Sequence, residues 1–76
     1  MPTEYRFTGP PGANGTAPYA SDGRAIGAAK VTLRNHRRGP GDLVKVFRLS
    51  EKGETFIGHA QYDQRERVVL WYPSGV

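Results

Sequence analysis

Two histidines, three serines, a pair of nearby glutamates and one run of cations are the residues of this chain that could do chemistry. A metal or acid–base site needs histidines and carboxylates converging at short spacing, and neither His36 nor His59 has such a neighbour. His36 lies among Arg34, Arg37 and Arg38, where adjacent cations disfavour a further positive charge. His59 falls on the side of a β-like run shared by Ile57 and Gln61, the setting of an ordinary sheet histidine. Ser21, Ser50 and Ser74 all occupy turn-like contexts, and none stands in Gly-x-Ser-x-Gly. Glu51 and Glu54 flank a glycine-containing loop and read as solvated turn residues. Gly9, Gly12 and Gly15 lack the preceding strand, following helix and Gly-Lys-Ser/Thr ending of a phosphate-cradling loop. The expectation is a protein that is not an enzyme, with no catalytic residue, metal site or cofactor.

Arg34-Asn35-His36-Arg37-Arg38 is the strongest local signal. Guanidinium groups hold phosphates and carboxylates bidentately, so this run is a candidate contact for a polyanion or an acidic protein surface. Lys30, Lys45 and Arg48 extend it to a candidate set of Lys30, Arg34, His36, Arg37, Arg38, Lys45 and Arg48. Between residues 24 and 48 there are seven Lys or Arg against one acid, Asp42, while both flanking regions are mildly acidic. The competing use of such charges is to discourage edge-to-edge aggregation of strands. Phe47, Phe56, Trp71 and Tyr72 sit inside apolar runs and read as core. Tyr62, beside Asp63, is the one sheet ring expected to be exposed, and it joins the candidate set.

These residues must be held by a thin-cored domain. Seventy-six residues bury a modest share of their surface, and no cysteine is present for a disulfide or a thiolate metal site. The chain divides into a Gly/Pro-rich extended arm over 1–29 and an antiparallel β domain over 30–76. In the arm only Glu4–Phe7 reads as a short strand, with bends at Asn14-Gly15 and Asp22-Gly23. In the second part, Lys30–Arg34 alternates as a first strand and Gly39-Pro40-Gly41-Asp42 suits a type II turn. A second strand follows over Leu43–Leu49, and Ser50–Glu54 makes a hairpin loop with Gly53 at positive φ. A third strand runs over Thr55–Tyr62, a turn over Asp63–Glu66, and a last strand over Arg67–Tyr72. The fold class is all-β: a small antiparallel four-stranded meander, open or closed into a small SH3-like barrel, with an extended N-terminal arm.

The second and last of these strands are apolar on both faces. Leu43, Phe47 and Leu49 alternate with Val44 and Val46, and Val68, Leu70 and Tyr72 with Val69 and Trp71. A sheet with one wet face alternates instead, so something must cover the second face: barrel closure, the arm folding back with Tyr5, Phe7, Tyr19 and Ile26, or another chain. Two functions follow. The first is a non-enzymatic assembly or interaction protein, of the size and build of phage or mobile-element accessory proteins, docking on a larger protein with an acidic surface through arm, sheet face and basic hairpin. The second is a small basic nucleic-acid-binding module using Arg34–Arg38 on phosphates. A homo-oligomer fits either. Met1-Pro2-Thr3-Glu4-Tyr5 offers no signal-peptide pattern and no run approaches a membrane span, so the expected setting is intracellular (cytoplasmic) or virion-associated, without membrane contact.

Overall fold

The computed structural model describes residues 3–9, 14–35 and 42–74. Its elements, in chain order, are β1 (Thr3–Thr8), β2 (Gly15–Tyr19), α1 (Asp22–Asn35), β3 (Leu43–Ser50), β4 (Gly53–Asp63) and β5 (Val68–Pro73). All five strands join one antiparallel sheet in the order β2-β1-β3-β4-β5, and the sheet is open. β1 runs antiparallel to both β2 and β3, so those two are parallel to each other with β1 between them. The connection that joins them carries α1 over one face.

The protein is thus dominated by β-structure, as composition and alternation imply, but three expectations change. The sheet has five strands rather than four and does not close into a barrel. Residues 30–34 are not a strand: they form the C-terminal part of α1. Within the stretch read as an arm, 3–8 and 15–19 are strands of the same sheet. The type II turn expected at 39–42 falls mainly outside the described residues.

The helix has local causes that outweigh its two glycines. Ser21 is the N-cap: its hydroxyl accepts from the Arg24 N–H at 3.3 Å, and its carbonyl accepts the first helical bond from Ala25 at 3.1 Å. Asp22 stands in the first turn and Arg34 in the last, both matching the helix dipole. Ala25, Ala29 and Leu33, four residues apart, put one stripe on the sheet and are fully buried. Five alternating residues at 30–34 are too few to separate a period of 2 from one of 3.6. Burial does separate them, since Leu33 is 0% exposed and Val31 is 51% exposed.

The core lies between helix and sheet. Tyr5, Val44, Val46 and Ala60 meet Ala25, Ala29 and Leu33, with Phe7, Tyr19, Ile57, Tyr62, Val69 and Trp71 packed around them. The cover for this face is therefore α1, and Tyr5, Phe7 and Tyr19 belong to the sheet layer itself. Asp22 also ties three elements together. It accepts a hydrogen bond from the Tyr5 hydroxyl of β1 and a 2.7 Å ion pair from Arg48 Nη1 of β3.

One irregularity sets which side chains reach the other face. Val46 pairs with Gly58 but Phe47 pairs with Phe56, so Ile57 is an extra residue in β4. Gly58 has φ +142°, and a Cβ there would lie 2.5 Å from the Tyr72 carbonyl oxygen and 2.6 Å from the Trp71 ring. The bulge turns Ile57 to the core while both Phe56 and His59 face away from the helix.

Candidate docking face

The face of the sheet opposite α1 carries a continuous group of side chains from four strands. β1 contributes Glu4, Arg6 and Thr8, β3 contributes Leu43, Lys45, Phe47 and Leu49, and β4 contributes Glu54, Phe56, His59 and Gln61. Val68, Leu70 and Tyr72 follow on β5. Phe56, Val68, Leu70 and Tyr72 are exposed, Val68 at 45% and Tyr72 at 43%. Among the described residues, no element lies over this face.

The face is ordered internally. Phe47 and Phe56 are cross-strand partners with ring centroids 5.2 Å apart. His59 and Tyr72, paired across β4 and β5, stack at 5.2 Å with 24° between planes. The Arg6 guanidinium lies 4.3 Å from the Phe47 ring centroid and also forms an ion pair with Glu54. That hydrogen bond holds the Glu54 carboxyl below its ordinary pKa and raises that of Arg6. Counting Asp63, the described residues give this face two cations, Arg6 and Lys45, against three carboxylates, Glu4, Glu54 and Asp63. It is apolar and near neutral rather than basic.

The residues singled out from sequence separate across the molecule. Lys30 and Arg34 are on α1, Arg34 exposed in its last turn. Lys45 is exposed on the open face of β3. Arg48, three positions further along, is on the helix side, committed to Asp22. Lys30, Arg34, Lys45 and Arg48 therefore do not share one surface, because a helix stands where the first strand of the basic hairpin is expected. His36, Arg37 and Arg38 lie outside the described residues. Tyr62 is half-buried against the core rather than exposed, since positions 58, 60 and 62 of β4 all face α1. The exposed sheet rings are instead Phe56 and Tyr72, which sequence reasoning placed in the core. The signal for Phe56 was Gly58, a glycine inside a strand pattern, which marks a bulge and a change of face.

Elsewhere, a shallow groove of about 180 Å³ runs between β2 and the helix, lined by Phe7, Tyr19, Ala28 and Thr32 among others. Among the described residues, no group of three or more side chains could hold a metal ion, and no helix is long and apolar enough to cross a membrane. No family model matches this chain, and neither a curated protein nor a solved structure matches it.

Proposed function

We propose that the protein is a non-enzymatic interaction module that docks on a larger protein through the open face of its sheet. One observation carries this reading: Phe56, Val68, Leu70 and Tyr72 stand exposed together, beside half-buried Leu43, Phe47 and Leu49. Contiguous apolar surface of this kind marks protein contacts. The charge balance argues for an apolar protein surface over nucleic acid on this face. Arg6 is already engaged by Glu54 and Phe47, which among the described residues of this face leaves Lys45 as the remaining cation for a phosphate backbone.

The test is a photo-crosslinking amino acid placed at Phe56 in the full chain within its native cells, with the same probe at Val31 on the helix as control. The expected result is a discrete protein adduct from position 56 that disappears when Tyr72→Lys is added. Adducts to nucleic acid, or equal labelling from both positions, would overturn the reading.

A second reading rests on a different observation. Arg34 is exposed at the end of α1 and leads in sequence into His36-Arg37-Arg38. If this end of the molecule binds nucleic acid, affinity falls steeply with salt, and replacing Arg37 and Arg38 by Ala lowers the salt slope by roughly one unit per lost phosphate contact. Failure to retard any DNA or RNA at low salt would remove it. The helix C-terminus itself favours cations without any ligand, which is why this reading ranks second.

A further inference from the structure

The sheet has two edges, β2 and β5, and they are protected differently. β2 is five residues long and contains Pro18, which has no N–H for a further strand. β5 reads Val68-Val69-Leu70-Trp71-Tyr72-Pro73, without a charged side chain and without proline before its last position. Natural sheets defend long edges with lysine, proline, bulges or a covering element, and β5 has none of these before Pro73 among the described residues.

The ladder fixes which backbone groups the edge offers. The Ser74 N–H donates to the Ile57 carbonyl at 3.1 Å, and antiparallel bonding alternates along a strand. Tyr72, Leu70 and Val68 therefore bond inward to His59, Gln61 and Asp63, while Val69 and Trp71 direct their N–H and C=O groups away from the sheet. On the open face the same strand presents Val68, Leu70 and Tyr72, three of the five large hydrophobics exposed among the described residues.

We propose that β5 pairs antiparallel with β5 of a second copy, centred on Leu70, joining the two open sheets edge to edge. In this register Val69 of each copy faces Trp71 of the other, and every outward N–H and C=O of these two residues finds a partner. Leu70 meets its own counterpart and Val68 meets Tyr72, so the exposed apolar row becomes a two-sided contact. A second copy is the occupant that the strand selects. Twofold symmetry sets the apolar row against itself, and Val68–Pro73 carries no charged side chain that would meet its own counterpart or a like charge across the seam. The consequence goes beyond docking by one face: two copies present a single, doubled docking surface.

Sedimentation of the full chain at concentrations up to about 200 μM tests this, a range that registers micromolar dissociation constants. The wild type is expected to dimerise. Leu70→Lys and Leu70→Glu, each placing like charges across the twofold axis, are expected to be folded monomers by circular dichroism. An equimolar mixture of the two is expected to recover a heterodimer. A wild type that stays monomeric throughout, a Leu70→Lys protein that still dimerises, or a mixture that fails to associate would overturn the proposal. Phe56→Lys separates this from the docking function: it should leave the dimer intact while removing the partner contact.

Discussion

Gly58 is held by three neighbours at once: the Tyr72 carbonyl, the Trp71 ring and the Pro73 Cα all stand within 3.0 Å of where a Cβ would sit. Its φ of +142° compounds the crowding. Gly58→Ala is therefore expected to cost about 3 kcal/mol from backbone strain and overpacking together, measured by denaturant unfolding. Tyr5 is sensitive in another way. Burial first, then its hydrogen bond to the Asp22 carboxylate, pushes its hydroxyl up to about 12 from an ordinary 10.0. A group whose pKa rises on folding contributes in full below its unfolded pKa, and that contribution fades as pH climbs through the folded one. Stability is thus expected to lose a Tyr5 component between pH 10 and about 12. Tyr5→Phe should abolish that component and, at neutral pH, cost about 1 kcal/mol for the lost hydrogen bond. Paired denaturation curves at neutral and alkaline pH check both. A Tyr5→Phe protein with the wild-type alkaline loss would refute the assignment.

Among the elements, α1 is the one built with room for improvement. Gly27 is exposed in mid-helix, and a Cβ there meets nothing within 4 Å. Gly27→Ala is expected to stabilise by about 0.5–1 kcal/mol, whereas Ser21→Ala should cost about 1 kcal/mol by removing the N-cap. Thermal unfolding should move in opposite directions for the two. The turn after β4 offers a further case. Arg67 has φ +58° and is the only non-glycine residue with positive φ among those described, so Arg67→Gly should be neutral or stabilising. Element boundaries show what the sequence discloses. β3 and β5 were legible within a residue or two, because their apolar runs are bounded by Gly-containing loops and turn residues. α1 was not, because Gly23 and Gly27 argue against a helix locally. The Ser21 cap and the Ala25, Ala29, Leu33 spacing argue for it only when read together. β2, with Gly15 and Pro18 in five residues, has little strand propensity and exists because β1 gives it a partner.

For the whole molecule, the central fact is that β1 is an interior strand although it comes first in the chain. It lies between β2 and β3, and its Tyr5 is part of the core. Removing residues 1–23 is therefore expected to unfold the protein rather than trim an accessory segment, and the truncated chain should lack the sheet's circular dichroism. The two-faced strands β3 and β5 called for a cover on both sides of the sheet; α1 covers one side, and among the described residues nothing covers the other. Which face each apolar residue joins was not legible, since that depends on the Ile57 bulge and on the helix. The basic run was legible as a run, but its geometry was not: the helix carries Lys30 and Arg34 away from Lys45, and alternation turns Arg48 towards Asp22. The contact between Gly58 and Trp71 has an optical consequence as well. Trp71 is the sole tryptophan, and it sits on the edge strand with its ring against the bulge of the neighbouring one. Its emission therefore watches the seam between β4 and β5, so the protein carries a native fluorescent reporter for any event that pries this edge open or seals it.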